Sequence, residues 1–353
     1  MTPHTPSSRN TPGSPERSGS AIPAPGEPTD GKLGRVIRVL SANPLVELSG
    51  TKIAEELGTS RSEVWRLVEQ LRELGVEIAG HQSIGYRLES VPDLLLPEIL
   101  GPLVSGTIFD RNIHHFFRIS STNVAAMAAA AQGEPEGSVF LAEEQTSGKG
   151  RGGHAWASDA SAGIYCSAIL RPALAPADVL MISLAAGLAV SAAVEQVTGL
   201  QPDLRWPNDV LLGDRKFCGV LTELNAEVTR VRYAVVGIGI NVNQSRFPDE
   251  LRELATSLHL ETGRPWSRVE LTAALLKSLD CEYRALVTDA SAARQSVFRR
   301  FEQRSSFVRG ARVHVEEDGG YDGVTEGLDE RGFLRVRTGS GMRTVLSGGV
   351  RKP

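Results

Sequence analysis

The hydrophobic positions of the chain change their spacing from one stretch to the next. Between residues 33 and 74, leucine, valine and isoleucine recur at helical spacing in three short segments. Ser60 precedes the third segment and Glu63 follows it by three residues, an arrangement typical of a capping box. Two short apolar stretches, 76–79 and 86–88, then enclose a polar turn. This order of elements predicts a winged helix, in which a helix-turn-helix is followed by a two-stranded wing.

The middle of the chain mixes apolar runs with helical periodicity. The runs predict strands at 138–142, 163–170, 219–223 and 233–240, and the periodic segments predict helices at 122–132, 177–197 and 267–287. The last two strands follow each other across a short turn, so we expect antiparallel neighbours in an antiparallel or mixed sheet. The longest apolar run, 179–194, is shorter than the roughly 20 residues that span a bilayer, which favours a buried helix and no membrane partner.

The two ends of the chain differ in character from its middle. Residues 1–30 hold seven of the nineteen prolines, together with serine, threonine and glycine, and this composition predicts a disordered tail. The last 45 or so residues read as short strands and turns, which predict a small β-barrel. We therefore expect an α+β protein divided into a tail at 1–30, a winged helix-turn-helix at 31–95, a central domain at 96–305 and a C-terminal domain at 306–353, with a linker spanning residues 91–97.

Composition narrows the classes of function. The net charge of −4 provides no global attraction to nucleic acid, so any contact with DNA has to come from a local patch. The three cysteines are far apart and match no zinc spacing, and their odd number argues against a disulfide framework. The polar, proline-rich N-terminus contains no secretory signal. Together these features predict a cytoplasmic protein without a protein-bound metal site.

The loop at 145–156 carries the clearest chemical pattern. Glycine stands at 148, 150, 152 and 153, so the backbone is able to approach an anion closely. Lys149 and Arg151 add fixed positive charge. The loop is not a Walker motif, because no Gly-Lys-Ser/Thr sequence closes it. From these residues alone, a mobile surface loop is an equally good interpretation.

Two charged residues lie further along the chain. Lys216 precedes a predicted strand, where its ammonium group would stabilise a carboxylate or an α-phosphate, or would be a solvated turn lysine. Asp209 follows Trp206-Pro207-Asn208, where it is either an ordinary turn carboxylate or a group that accepts a proton from an attacking amine. The sequence alone leaves both alternatives open.

Two polar motifs and a histidine pair complete the candidates. The segment 237–243 has valine at the third glycine position of the dinucleotide-binding fingerprint, so the Rossmann interpretation fails. Its two glycines in a strand indicate the close approach of another backbone or of a flat ligand, and Asn241 would reach an adenine edge. Ser121-Thr122-Asn123 precedes an alanine-rich helix as a helix cap or as the binding site of a small polar group. His114-His115 lacks further metal-ligand spacing.

These motifs together resemble a known family in their order and spacing. The segments are 121–123, 145–156, 205–209, 214–219 and 237–243, and together they resemble the biotin–protein ligase family. The N-terminal winged helix resembles that of the bifunctional class, which combines a biotin ligase with a biotin-operon repressor. The resemblance covers residues 33–353. Lys149 stands where the family commonly has arginine, and the segment 152–154, Gly-Gly-His, is less basic than the arginine-rich versions of the loop.

The resemblance implies a fold and a reaction. The central domain is expected to be like a class II aminoacyl-tRNA synthetase, and the C-terminal domain like an SH3 barrel. Biotin and Mg²⁺-ATP would form biotinyl-5'-adenylate, and a lysine of the biotin carboxyl carrier protein of acetyl-CoA carboxylase would then take the biotin. The residues implied to bind biotin and ATP are Ser121, Thr122, Asn123, Gln145, Gly148, Lys149, Gly150, Arg151, Trp156, Lys216, Gly219 and Asn241.

Individual roles follow from the same resemblance. The 121–123 motif and Gln145 would hold the ureido head of biotin, while Lys149 to Arg151 would close over the adenylate. Lys216 would bind the biotin carboxylate and the α-phosphate, and Asn241 would contact adenine. Our own hypothesis assigns Asp209 as the base for the acceptor amine, beside Lys216 and Arg151 as the other catalytic residues.

The DNA-binding half is predicted less sharply than the catalytic half. The residues expected to face DNA are Arg61, Ser62, Trp65 and Arg66. From residue 50 to 76 there are four lysines and arginines against five acids, a weak electrostatic footprint for phosphate contacts. Operator binding by an adenylate-bound homodimer is one expectation, and a purely structural winged helix is the alternative. A biotin sensor with weak ligase activity and a lipoate-type ligase are further alternatives, the last of which would not explain the winged helix.

Overall fold

A computed structural model describes residues 31–43, 46–73, 75–81, 83–317 and 319–353. The tail predicted at residues 1–30 lies outside the described residues.

The N-terminal unit is a helix-turn-helix with a β-hairpin wing. Its elements are α1 (Gly31–Ser41), α2 (Gly50–Leu57), α3 (Arg61–Glu73), β1 (Glu77–His81) and β2 (Gly85–Ser90). The two strands pair antiparallel, as the sequence predicted. The Ser60 hydroxyl accepts a hydrogen bond of 3.1 Å from the Glu63 N–H, which caps α3. Val64, Leu67 and Leu71 lie on the inner face of α3 and are fully buried, so the helical spacing predicted the core of this unit correctly.

Arg72 fixes the wing to the third helix. Its guanidinium donates hydrogen bonds of 2.7 Å to the carbonyl oxygens of both Ile78 and Gly80 in β1, and one of 2.7 Å to the Glu69 carboxylate. One of the four basic side chains counted in this region therefore serves the wing rather than a ligand. The α3 helix and β1 are held as one unit by this contact.

The central unit contains a seven-stranded mixed sheet. Its helices are α4 (Pro97–Leu103), α5 (Thr122–Ala131), α6 (Leu180–Thr198), α7 (Leu258–Thr262), α8 (Arg268–Thr288) and α9 (Ala290–Gln303). Its strands are β3 (Ile113–Phe116), β4 (Val139–Ala142), β5 (Gly163–Leu170), β6 (Asp203–Arg205), β7 (Asp209–Leu212), β8 (Arg215–Ala226) and β9 (Val231–Asn241). The order across the sheet is β3-β4-β5-β9-β8-β7-β6, in which β3 and β4 are parallel and all other pairs are antiparallel.

Both faces of this sheet are covered. Because side chains alternate along a strand, Phe140 and Val235 pack with α5 on one face, while Leu141 and Val236 join the large core on the other. The helices α6 and α8 belong to that larger core. Among the described helices, α6 is long and apolar enough to cross a membrane, but most of its side chains are buried against the sheet, α8 and α9. The predicted buried helix is therefore found in the core.

Several short elements were not predicted. Pro97 was assigned to a linker, but it begins α4, because proline is well suited to the first turn of a helix. The strands β6 and β7 have only three and four residues, which is too short for a periodicity to be visible. The helix α9 was not predicted because its sequence carries several arginines and only a few of its positions are apolar and buried. Residues 91–96 do connect the two units, as expected for a linker.

The C-terminal unit is a small antiparallel sheet. Its strands are β10 (Arg309–Val315), β11 (Tyr321–Leu328), β12 (Leu334–Thr338), β13 (Gly341–Val345) and β14 (Val350–Arg351), in the order β13-β12-β11-β10-β14. Their buried side chains are continuous with the core of the central unit. The Trp206 indole N–H donates a hydrogen bond of 2.9 Å to the Gly332 carbonyl oxygen. The C-terminal sheet is thus packed directly against the segment that precedes β7.

A buried ion network joins the linker to the central sheet. The Arg268 side chain is 1% exposed and lies 2.7 Å from Glu143 and 3.3 Å from Asp93 in the linker. His115 lies 3.0 Å from the same Glu143 carboxylate. Burial opposes ionisation of Glu143, but the hydrogen bond from His115 and the charge of Arg268 lower its pKa to about 2. Glu143 is therefore ionised throughout the physiological range.

We expect the Arg268→Met substitution to cost about 3–5 kcal/mol of the free energy of unfolding, because Glu143 would lose its main charge partner inside the core. The pKa of Glu143 is lowered on folding, so its stabilisation is present above pH 4.5 and is lost as the pH falls toward 2. The difference between variant and wild type should shrink over that window. Urea unfolding at several pH values measures both effects. Arg252→Met, which breaks an exposed ion pair, is the control and should cost under about 1 kcal/mol; an equal loss in both variants would contradict the argument.

Candidate active site

A chain of hydrogen bonds runs along the carboxyl end of β4 and the start of α5. The Thr122 backbone N–H donates to Gln145 Oε1 at 2.8 Å, and the Thr122 hydroxyl lies 3.1 Å from the same oxygen. Gln145 Nε2 donates to the Ser158 hydroxyl at 2.9 Å. The Ser167 hydroxyl lies 2.8 Å from Thr122 Oγ1 and 2.7 Å from Asn123 Oδ1. These five side chains are therefore fixed relative to one another before any ligand binds.

The 121–123 motif does not act as an ordinary helix cap. Ser121 occupies the N-cap position of α5 with an extended backbone, but its side chain makes no capping hydrogen bond. The side chains of all three residues are buried and line a narrow slot on the sheet. Of the two interpretations of this motif, a helix cap and a binding site for a small polar group, this placement favours the binding site.

Two glycines of β9 admit side chains from elsewhere. A Cβ atom at Gly237 would lie 2.2 Å from Asn123 Oδ1, and one at Gly239 would lie 2.5 Å from the Trp156 indole. The sequence predicted the close approach of a backbone or a flat ligand at these glycines. In this structure an amide and an indole occupy those positions, because glycine alone leaves the space.

The glycine-rich loop reaches the C-terminal unit. Arg151 donates a hydrogen bond of 3.2 Å to Asn208 Oδ1, and its other terminal nitrogen contacts the Ser347 carbonyl oxygen. Gly152 and Gly153 have φ values of 66° and 82°, a left-handed conformation that glycine adopts without strain. The Lys149 side chain is exposed, and its backbone forms an antiparallel bridge with that of Ala155 across the loop. The loop is thus folded over the slot and anchored at Arg151.

Lys216 lies at the centre of a charged cluster. Its Nζ is 2.7 Å from Asp209 Oδ1, and Arg205 is 2.7 Å from the other oxygen of the same carboxylate. Burial opposes ionisation of Asp209, but the charges of Lys216 and Arg205 outweigh it and hold its pKa below the usual value. Lys216 Nζ also lies 5.2 Å from the centre of the Trp156 ring. The lysine is not a solvated turn residue.

Two cavities meet at this cluster. The first is the slot on the sheet, of about 40 Å³, and the second is a larger cavity of about 450 Å³ beside the C-terminal unit. The residues that line both are Gly150, Arg151, Trp156, Asn208 and Lys216. The slot is narrow because the Trp156 indole covers Gly219 and Gly239. A ligand larger than a few atoms enters it only when Trp156 or the loop moves.

The structure brings together nearly all of the predicted site residues. Ser121, Thr122, Asn123, Gln145, Lys149, Gly150, Arg151, Trp156, Lys216 and Gly219 line the slot. Asp209 and Asn241 line the larger cavity. Gly148 lies behind the slot, where a Cβ atom would be 2.4 Å from the Trp156 carbonyl oxygen.

Asn241 is already engaged by the protein. Its Nδ2 donates a hydrogen bond of 3.1 Å to the Thr256 carbonyl oxygen, and its Oδ1 lies 3.4 Å from Gln244 Nε2. The side chain is 5% exposed. A contact with adenine would therefore require one of these hydrogen bonds to be shared or exchanged.

Three further polar residues belong to the site but were not identified from the sequence. Ser167 interrupts an otherwise apolar strand, which is the signal that would have found it. Asn208 Nδ2 donates to the Val220 carbonyl oxygen at 2.9 Å, and its Oδ1 receives Arg151. Glu223 accepts a hydrogen bond of 2.8 Å from Asn123 Nδ2. Glu223 carries no local signal, because a glutamate near the end of a strand usually faces solvent.

The histidine pair has structural partners. His114 lies 2.8 Å from Glu134, and His115 lies 3.0 Å from Glu143. Within the described ranges, no group of three or more histidine, cysteine, aspartate or glutamate side chains is arranged to hold a metal ion.

Comparison with known proteins identifies relatives of three parts of the chain. Residues 116–241 match the model of the biotin/lipoate A/B protein ligase family, residues 33–87 match a helix-turn-helix domain, and residues 310–351 match the C-terminal domain of biotin protein ligases. The bifunctional ligase/repressor BirA of Bacillus subtilis is 33% identical over 308 residues, which are 86% of this chain and 93% of that protein. The biotin–[acetyl-CoA-carboxylase] ligase of Mycobacterium tuberculosis is 36% identical over 65% of this chain and 84% of its own length.

A solved structure shares the fold of about two thirds of the chain. The biotin protein ligase of Aquifex aeolicus, in complex with biotin and ATP, is 29% identical with a TM-score of 0.60, over 69% of this chain and 100% of that chain. The chain described here belongs to the biotin–protein ligase family. It combines the ligase sheet with an N-terminal helix-turn-helix and a C-terminal β-rich unit, which is the α+β organisation predicted from the sequence.

Proposed function

We propose that this protein is an ATP-dependent biotin–protein ligase. The observation that carries the proposal is the position of Lys216, whose ammonium group lies where the narrow slot and the larger cavity meet. A carboxylate at the end of the slot and an α-phosphate in the larger cavity would both contact this one cation. Lys216 would thus reduce the repulsion between the two anionic substrates while they are joined.

The first step forms a mixed anhydride. The carboxylate oxygen of biotin attacks the α-phosphorus of Mg²⁺-ATP, the bond to the β-phosphate oxygen breaks, and pyrophosphate leaves. Lys216, Arg151 and Lys149 offset the negative charge that accumulates between the two substrates. The loop at 145–156 then covers the adenylate and keeps water away from it.

The second step transfers biotin to a protein. The unprotonated ε-amine of a lysine in a biotin carboxyl carrier protein attacks the acyl carbon and an amide bond forms. The bond from that carbon to the phosphate oxygen breaks, AMP leaves, and the nitrogen gives up one proton. Asp209 is our candidate for the base that accepts the proton of this amine. Its lowered pKa makes it a weak base, and its two ion pairs point to a second role, that of holding Lys216 in place. The Lys216 backbone is held as well, because its N–H donates to the Leu254 carbonyl oxygen at 2.8 Å.

Gly237→Ala should weaken biotin binding by about tenfold or more, because the new Cβ atom would overlap Asn123 Oδ1 and displace the amide from the slot. The KM for biotin should rise, while the KM for ATP should change little. Gly101→Ala is a matched control, since nothing lies within 4 Å of its Cβ position. Steady-state kinetics with each substrate varied in turn gives both constants, and an unchanged KM for biotin would remove Asn123 from the proposed site.

Biotin-dependent exchange of labelled pyrophosphate into ATP tests the first step directly. We expect exchange only when biotin is present. Exchange that is equally fast without biotin would contradict the proposal. Exchange with lipoate in place of biotin would support the lipoate-type alternative.

We also propose that the winged helix makes the protein a biotin-responsive repressor. Arg61, Ser62, Trp65 and Arg66 lie on the exposed side of α3, as expected for a face that meets DNA. Binding as a homodimer when the adenylate is present is part of this proposal. A mobility-shift experiment with a biotin-gene operator should show a complex when both biotin and ATP are added. A shift that is the same with and without biotin and ATP would favour a purely structural winged helix. The absence of a shift under every condition would favour it as well.

Glu63→Gln should strengthen operator binding. Arg66 donates two hydrogen bonds, of 2.9 and 2.7 Å, to the Glu63 carboxylate, so part of its charge is neutralised on the surface that meets DNA. Removing the carboxylate charge should steepen the plot of log Kobs against log salt by up to about 0.9 per protomer. Fluorescence anisotropy at four salt concentrations measures the slope. Glu77→Gln on β1 is the control, and equal slopes for both variants would contradict the docking of α3 on DNA.

Finer features of the fold are also proposals. We propose that the mixed central sheet is of the class II aminoacyl-tRNA synthetase type and that the five short C-terminal strands form an SH3-like unit. The domain limits that we propose are 31–95, 96–305 and 306–353. The cytoplasm is the proposed location, where the carrier protein and the operator would both be accessible.

A further inference from the structure

The orientation of the Asn123 amide is determined by a glutamate from another strand. Asn123 Nδ2 lies 2.8 Å from Glu223 Oε2, and Asn123 Oδ1 lies 2.7 Å from the Ser167 hydroxyl. A carboxylate accepts hydrogen bonds and does not donate them, so the atom facing Glu223 has to be the nitrogen. The oxygen of the amide therefore faces the slot. Glu223 does not line the slot itself but acts on it through Asn123.

The other end of the hydrogen-bond chain is fixed in the same way. The Thr122 backbone N–H donates only, so the atom of Gln145 that faces it has to be Oε1. The Thr122 hydroxyl donates to that same oxygen, which leaves its own lone pairs as acceptors. Thr122 Oγ1 and Asn123 Oδ1 then both offer acceptors around Ser167.

The hydroxyl of Ser167 has one proton for two acceptors. It satisfies either Asn123 Oδ1 or Thr122 Oγ1, and the other oxygen remains available to a donor from the ligand. All three side chains are buried, so an acceptor left without a donor costs binding energy. The floor of the slot is thus complementary to a ligand that carries N–H groups.

The geometry points to Glu223 as a positioning residue that makes the slot specific for the ureido N–H groups of biotin. This inference rests on the proposed ligase function, because it takes biotin as the occupant of the slot. Gly237 contributes by leaving the space into which the oriented Asn123 oxygen projects. Without Glu223, the Ser167 hydroxyl remains beside the amide, but a hydroxyl both donates and accepts and so does not select one orientation. The amide could then present its N–H₂ group to the ligand, where two donors would face each other.

Isothermal titration with three ligands tests the inference. The ligands are biotin and two analogues in which one or the other ureido N–H is replaced by CH₂. The wild-type protein should prefer biotin over at least one analogue by about tenfold or more. Glu223→Leu should reduce that preference to about threefold or less, while Glu223→Gln should keep it, because its amide oxygen still accepts from Asn123 Nδ2. Glu227→Leu, on the exposed hairpin beyond β8, is the control and should keep the wild-type preference.

A purely structural role for Glu223 gives a different result. If Glu223 only supports the fold, Glu223→Leu should weaken the binding of all three ligands by the same factor. The preference for biotin would then be unchanged, and this result would overturn the inference. Failure of the wild-type protein to bind biotin at all would instead overturn the proposed function. The two failures are therefore distinguishable in one set of titrations.

A second set of variants tests the inference if Glu223→Leu does not fold. Asn123→Asp places a second carboxylate against Glu223, and we expect this repulsion to weaken biotin binding by about tenfold or more. Adding Glu223→Gln restores a donor opposite the new carboxylate and should recover most of the lost affinity. No recovery in the double variant would overturn the inference.

Discussion

Lys216→Met is expected to lower the rate of adenylate formation by about 10²–10³-fold or more, the largest effect of any single substitution considered for this protein. Methionine keeps most of the length of the side chain, so the packing beside Gly219 is largely retained, while the cation–π contact of Nζ with Trp156 is lost together with the charge. What is lost is one of the two positive charges that border both cavities, and the other is that of Arg151. Biotin-dependent pyrophosphate exchange, measured at saturating biotin and ATP, gives this rate directly.

Two controls separate the charge from general effects on the fold. Lys277→Met removes an exposed lysine of α8 and should leave the exchange rate unchanged. Circular dichroism and the free energy of unfolding of Lys216→Met should stay close to those of the wild type. Asp209 would keep Arg205 as a partner at 2.7 Å, so its carboxylate is not left unpaired. A normal exchange rate in Lys216→Met would show that the role assigned to Lys216 is wrong.

Arg151→Gly is expected to release the adenylate from the protein. In the wild type, Arg151 anchors the loop to Asn208 and to the Ser347 carbonyl oxygen. Glycine removes both contacts and also one cation beside the adenylate phosphate. We expect the rate at which the adenylate is released to rise by about tenfold or more as a result. The freed mixed anhydride should acylate accessible lysines without selection. Biotin incorporated into a bystander protein, such as serum albumin, measures this release.

The contacts of Arg151 suggest a graded series for this experiment. Asn208→Ala removes one anchor of the loop and keeps the cation, so its release of adenylate should lie between those of the wild type and Arg151→Gly. Arg331→Gly removes an exposed arginine of the C-terminal unit and should behave like the wild type. Equal labelling of the bystander by all four proteins would contradict the role of the loop as a lid.

The sequence predicted the elements whose patterns are long. The strand β5 was predicted with its observed limits, because eight buried residues in succession form a clear apolar run. The helix α8 was predicted to within one residue at each end. Short elements such as β6 lack enough residues for any period to emerge. Pro97 was misread because proline ends helices and also begins them.

The residues of the candidate site could be identified from the sequence where residue type and motif order alone indicate chemistry. The loop and Lys216 are charged or glycine-rich in a recognisable order, and the structure brings them together. Glu223 and Ser167 lie outside the motifs, and their shared contact with Asn123 becomes visible only when β5 and β8 are placed on either side of β9. The direction of each hydrogen bond in the slot depends on such partners, so it cannot be obtained from the motifs alone.

The central claim is that the protein attaches biotin to a carrier lysine. The most direct measurement combines the purified full-length protein with labelled biotin, Mg²⁺-ATP and an isolated biotin carboxyl carrier domain, followed by mass spectrometry of the product. We expect one biotin per carrier domain on a single lysine, dependent on ATP and absent with Lys216→Met. An unmodified carrier after prolonged incubation with wild-type protein, ATP and biotin would contradict it.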